Sequence, residues 1–135
     1  MMKHLLFTAC ILSAAIVACT DQPNSTLVKA NEAHLEALEI AENLEQKLKT
    51  YQESGDHNAA TLEKADSIQS LVSQWEEAMI EVPGFAHEHG AGHHEHKPAP
   101  KMTDESMLDY QVNAKLVIEE LARETDLILA KETEK

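Results

Sequence analysis

From residue 27 to residue 51 apolar side chains recur at alternating three- and four-residue steps: Leu27, Ala30, Ala37, Ala41, Leu44, Leu48 and Tyr51, with His34 filling the one polar slot in the series. Glu36, Glu39, Glu42, Glu45, Gln46 and Lys49 fall off that seam. A period near 3.5 with charges outside it is the signature of a helix packed along one face. The pattern predicts a first helix over 26–53, capped by Ser25 or Thr26. Gly55 suits the left-handed position after a helix, and Asp56 suits the cap of the next.

A second seam, Leu62, Ala65, Ile68, Val72, Trp75 and Met79, predicts a helix over 57–81. Val82-Pro83-Gly84 ends it, because proline supplies no amide to the ladder. Thr103 caps a third helix over 103–132, with Asp104 and Glu105 favourable in its first turn. Its expected seam is Met107, Tyr110, Ala114, Val117, Leu121 and Ile128, widened by Leu116, Ile118 and Leu129. No strand-like alternation appears. The expectation is an all-α fold: an antiparallel three-helix bundle of matched rods, or a long hairpin with the third helix laid along it. Alanine-rich seams imply a slim core, open to completion by a partner or a second copy.

Ahead of this domain stands a different kind of segment. Met1-Met2-Lys3-His4 is short and basic, and Leu5 to Val17 is almost wholly apolar, as in a bacterial export signal. Its end, Ile16-Val17-Ala18-Cys19, resembles a lipobox. That resemblance implies cleavage after residue 18 and acylation of Cys19, palmitate being the usual kind of chain. The expected organisation is a signal over 1–18, a lipidated tether over 19–25 and a helical domain over 26–135. With the signal removed Cys19 is the one cysteine left, so no internal disulfide can form.

Charge narrows the partners. The formal net charge is −13, and loss of Lys3 with the signal makes it −14. Such a body repels phosphate backbones, which excludes nucleic acid as a partner. Thr20 after the cysteine is compatible with an outer-membrane lipoprotein facing the periplasm.

The candidate chemistry lies between the second and third helices, in a flexible loop over 83–101. Residues 87–96 read HEHGAGHHEH. His87, His89, His93, His94 and His96, with Glu88 and Glu95, offer more donors than one Zn²⁺, Cu²⁺ or Ni²⁺ requires. Gly90 and Gly92 let the two clusters fold toward each other. Up–down–up topology puts this loop at the end where the first helix begins, with His34 as a conceivable extra ligand. His57, at the opposite end, cannot join it. The other reading of the same residues is a polar linker whose charge varies with pH.

Catalysis finds no support. A helical HExxH zinc motif needs histidines four apart with glutamate directly after the first, and four residues after the histidines of His87-Glu88 and His94-Glu95 stand Ala91 and Pro98. The sequence holds no nucleophile–base set and no nucleotide loop, so no enzyme is expected and no cofactor is required beyond a loop-bound metal. Docking to an envelope protein, or self-association, is the competing role for the helical surface.

Taken together, a lipobox, NEAHLEALEIAENL in the first helix, a tryptophan-bearing second helix running into VPGF, the histidine-rich loop, and KPAPKMTDESML opening the last helix resemble small helical lipoproteins of Bacteroidota-type bacteria. Some of these carry the label "viral A-type inclusion protein". The resemblance implies an envelope lipoprotein with a helical body and brings no activity with it.

Overall fold

Asn24 opens the first helix by accepting hydrogen bonds from the amides of Thr26 and Leu27 on its side-chain oxygen, so the cap falls one residue before Ser25. In this computed structural model, which describes residues 24–55, 58–85 and 97–133, three helices follow: α1 (Ser25–Glu53), α2 (Ala59–Ala78) and α3 (Asp104–Thr133). Asn58 caps α2 through the amide of Ala60, while Asp56, expected in that role, lies outside the described residues. Thr103 caps α3 through the amide of Ser106, as expected. Gly55 holds a left-handed φ of 79° after α1, also as expected. Among the described residues there is no strand, and no helix is long and apolar enough to cross a membrane.

Cross-helix pairs fix the directions. Asn24 meets Asp104, Glu36 meets Lys115, and Lys47 meets Asp126, at nearly constant separations of 80, 79 and 79 residues in the chain. A constant separation means that α1 and α3 run parallel, and they form the closest pair. α2 runs against both: Gln52 bonds Asp66 and Glu45 bonds Gln69 on one side, while Trp75 and Ala78 meet Ala114 and Tyr110 on the other. The result is an up–down–up helical bundle.

The core follows heptad spacing in every helix. Ala30, His34, Ala37, Ala41, Leu44 and Leu48 of α1 are buried, joined by Ala33, and so are Ala65, Ile68, Val72 and Trp75 of α2. In α3 the expected seam holds at Met107, Ala114, Leu121 and Ile128 but fails at Val117 and at the flanking Leu116. Val117 and Leu116 are 51% and 55% exposed, whereas Gln111, Ile118 and Thr125 are fully buried. The face actually buried, Met107, Gln111, Ala114, Ile118, Leu121, Thr125 and Ile128, is a regular four–three repeat with Ala114 half-covered. Two of its members are polar and are satisfied internally. The Thr125 hydroxyl donates to the carbonyl of Leu121 at 2.9 Å, one turn back in its own helix.

The rods are not matched in length. α1 and α3 have 29 and 30 residues, but α2 has 20 and ends at Ala78 rather than at residue 81. At 1.5 Å per residue α2 is therefore shorter by about 15 Å. Met79 leaves helical geometry at ψ 141°, and the chain continues extended through Ile80 and Val82. These two side chains bury with Ala30 and Met107 in a second apolar cluster that fills the space where another turn of α2 would stand. Pro83 disfavours helical geometry at Val82 and lacks the amide that would bond the Met79 carbonyl, but by itself it supplies no substitute donor. Pairing with Lys97 does: the Lys97 amide donates to Met79 and its carbonyl accepts from Glu81, at 3.3 and 3.0 Å.

Candidate functional site

Ending a helix early strands carbonyl groups that the next turn would have bonded. Here three successive carbonyls find other donors. The Tyr110 hydroxyl reaches that of Ala78 at 2.6 Å, the Lys97 amide reaches that of Met79, and the Gln111 amide nitrogen reaches that of Ile80 at 2.9 Å. Tyr110 and Gln111 are neighbours on α3, so one short stretch of helix supports the whole departure. Burial pushes the Tyr110 phenol up from its ordinary value, since the ionised ring would lose solvation.

Beyond this support lies a tight turn. Phe85 donates its amide to the carbonyl of Val82 at 3.1 Å, with Pro83 and Gly84 between them and Gly84 at φ 83°. Proline followed by a left-handed glycine is the composition of a type II turn. A surface cleft of about 590 Å³ separates this turn from Pro98 and Ala99. Val82 and Phe85 still pack on the bundle, and Lys97, where the described chain resumes, is paired beside Met79 and Glu81.

His34 sits in the same end of the bundle, fully buried. Its Nδ1 lies 3.1 Å from the Gln111 side-chain oxygen. The Gln111 nitrogen is committed to Ile80, so its oxygen faces His34 as an acceptor and Nδ1 carries the proton. The Met107 sulfur is 3.6 Å from the same nitrogen. His34, Gln111 and Ile80 therefore form a buried polar chain from α1 through α3 to the extended segment. A polar layer in an otherwise apolar seam fixes the register of the helices that share it.

His87, His89, His93, His94, His96, Glu88 and Glu95 lie outside the described residues, as do Cys19 and His57. Of the candidate ligands the structure places His34 alone, and places it as a core side chain bonded through Nδ1. Among the described residues no group of three or more His, Cys, Asp or Glu side chains comes together as a metal site. The start of α1 and the residues flanking the histidine-rich segment do share one end, as the Asn24–Asp104 and Tyr110–Ala78 contacts require.

Sequence reasoning missed Tyr110, Gln111 and Lys97 as the donors to the carbonyls of Ala78, Ile80 and Met79. Gln111 carried a usable signal, because it stands four after Met107 and three before Ala114 on a strict heptad step. Its polarity argued against a core position. Lys97 carried none that a single sequence displays. No family model matches the chain, and neither a curated protein nor a solved structure was found to be similar to it.

Proposed function

We propose that this chain is a lipid-anchored lipoprotein of the bacterial envelope, attached through Cys19, whose histidine-rich segment binds a divalent transition metal. The carrying observation is donor density: five imidazoles and two carboxylates within residues 87–96. The anchored ends support the reading. Closing a segment around an ion costs entropy that grows with its free length. A chain whose ends already meet at Glu81 and Lys97 has less of that cost left when metal arrives. Cys19 lies five positions before Asn24, so the tether reaches about 20 Å at most, and the metal-binding end of the bundle would face the lipid. Alternative donor sets within one segment suit holding or buffering of Zn²⁺, Cu²⁺ or Ni²⁺ rather than catalysis.

Calorimetric titration of the full chain with Zn²⁺ tests this, against a variant with the five loop histidines changed to serine. Binding heat confined to the parent protein supports the proposal, and equal heats refute it. Release on acidification is a further consequence, since imidazole protonates near pH 6.5 and the protonated ring cannot bind metal.

A second reading, docking of the helical surface to another envelope protein, is favoured by Val112, Leu116 and Leu127, which are exposed along α3 at 41–55%. Crosslinking in membranes separates the two: a defined partner lost in a Leu116→Glu variant and kept in the histidine variant favours docking.

A further inference from the structure

We infer that the outward face of α3 docks on the same face of a second copy of this chain, with the two helices antiparallel. The inference rests on the docking reading above and names its partner. Val112, Leu116 and Leu127 are exposed, and so is Arg123. At about 100° per residue these four positions fall within an arc of about 60°, on the side of α3 turned away from the buried Ile118 and Thr125. Single exposed apolar residues are ordinary. Three on one ridge, spaced by one turn and then by about three, form a stripe that another helix can cover.

Charges on the ridge select the neighbour. Between the two leucines stand Glu120 and Arg123, paired with each other in their own helix, and Asp109 and Lys131 are exposed toward the two ends. Antiparallel pairing centred at the level between Leu121 and Ala122 sets Leu116 against Leu127 and Glu120 against Arg123 of the other copy. Each contact then occurs twice by symmetry. Asp109 falls within one turn of Lys131 of the other copy. Parallel pairing of the same face sets Glu120 against Glu120, Arg123 against Arg123 and Asp109 against Asp109. The ridge therefore complements itself in one direction and not in the other.

The net charge of −13 opposes association at long range, but salt screens it beyond about 8 Å, so the contacts decide the pairing. A contact along one helix is small beside the roughly 1,200 Å² at which standard interfaces begin. A dissociation constant on the order of 10–100 µM is expected. Because α1 starts beside the start of α3, the two copies would carry their tethers at opposite ends of the pair, about 50 Å apart. Both reach one lipid surface when the pair lies along it.

Sedimentation equilibrium of the full chain over about 1–500 µM tests the inference, with circular dichroism confirming helical content in each variant. The parent should show a monomer–dimer equilibrium. Leu116→Glu should weaken it about hundredfold or more, by burying a charge against the opposing leucine. Arg123→Glu turns both cross-pairs repulsive and should weaken it about tenfold or more. The double variant Glu120→Arg/Arg123→Glu reverses every pair and should return to within about threefold of the parent.

A dimer indifferent to Arg123→Glu overturns the inference, because parallel pairing only exchanges one like-charge contact for another. Association that survives Leu116→Glu, or that the double variant fails to restore, overturns it as well. A parent that stays monomeric throughout rules out the second copy. In that case crosslinking in membranes decides the broader docking reading: a different protein lost in Leu116→Glu keeps it, and no partner at all removes it.

Discussion

Ala37 is fully buried on α1, in the same cluster as Ala41, Ala65, Trp75, Met79 and Ile118. Replacing it with leucine puts an isobutyl group where a methyl fits. In a seam closed by close approach of the helices, the larger group forces rotamer and backbone shifts that cost about 1–3 kcal/mol. In a seam left open for a partner, the added methylenes would find room and stabilise by about 2 kcal/mol at roughly 0.8 per group. The two situations differ in sign. Ala37 and Ala41 at 0% and 2% exposure place these positions in the first class. For a domain of this size 1 kcal/mol corresponds to about 4 °C in Tm, so Ala37→Leu should melt about 4–12 °C below the parent. Thermal unfolding followed by circular dichroism, with urea unfolding to confirm an unchanged slope, measures the effect. A Tm equal to or above that of the parent refutes the argument.

Leu48→Ala should cost about 2–5 kcal/mol at a fully buried site, whereas Leu116→Ala should stay within about 0.5 kcal/mol, and denaturant titration of the pair checks the revised α3 face directly. Thr103→Ala should cost about 1 kcal/mol by removing the α3 cap, and the loss should vanish in Thr103→Ser. The Tyr110 phenol should ionise above ordinary tyrosine in an ultraviolet titration. Because the fold holds that proton more tightly than the unfolded chain does, its stabilising contribution is complete below the ordinary tyrosine value and disappears as pH rises through the raised one. Tyr110→Phe should therefore flatten part of the alkaline loss of stability, and a normal titration of Tyr110 contradicts the burial argument.

Much of this fold could be read directly from apolar spacing. The α1 seam is buried at each expected position from Ala30 to Leu48, because alanine and leucine at strict heptad steps allow only one inward face. Gly55 and Thr103 were legible for local reasons, a left-handed backbone and a capping hydroxyl. The α3 seam was legible at Met107, Ala114, Leu121 and Ile128, but not at the positions between them. Leu116, Val117 and Ile118 offer three adjacent apolar faces, and the two residues that settle the choice, Gln111 and Thr125, are polar. They are tolerated inside because each finds a hydrogen-bond partner there.

Met79 to Val82 escaped for a different reason. A short apolar run before proline fits a last helical turn and an extended strand equally well. The choice is made by Lys97, which stands far along the chain, and by the Tyr110 hydroxyl and Gln111 amide that take up the released carbonyls. The candidate site was legible as composition, in the histidines of residues 87–96. The bonding of Ala78 and Ile80 to α3 was not, since it exists only once separate segments meet.

The most direct test of the proposed metal function is the metal content of the full chain, purified without a histidine tag and dialysed against one equivalent of Zn²⁺ at pH 7.5 and then at pH 5. The account predicts zinc retained at the higher pH and released at the lower, with retention abolished when His87, His89, His93, His94 and His96 are changed to serine. Zinc absent at both pH values, or retained equally by that variant, contradicts it.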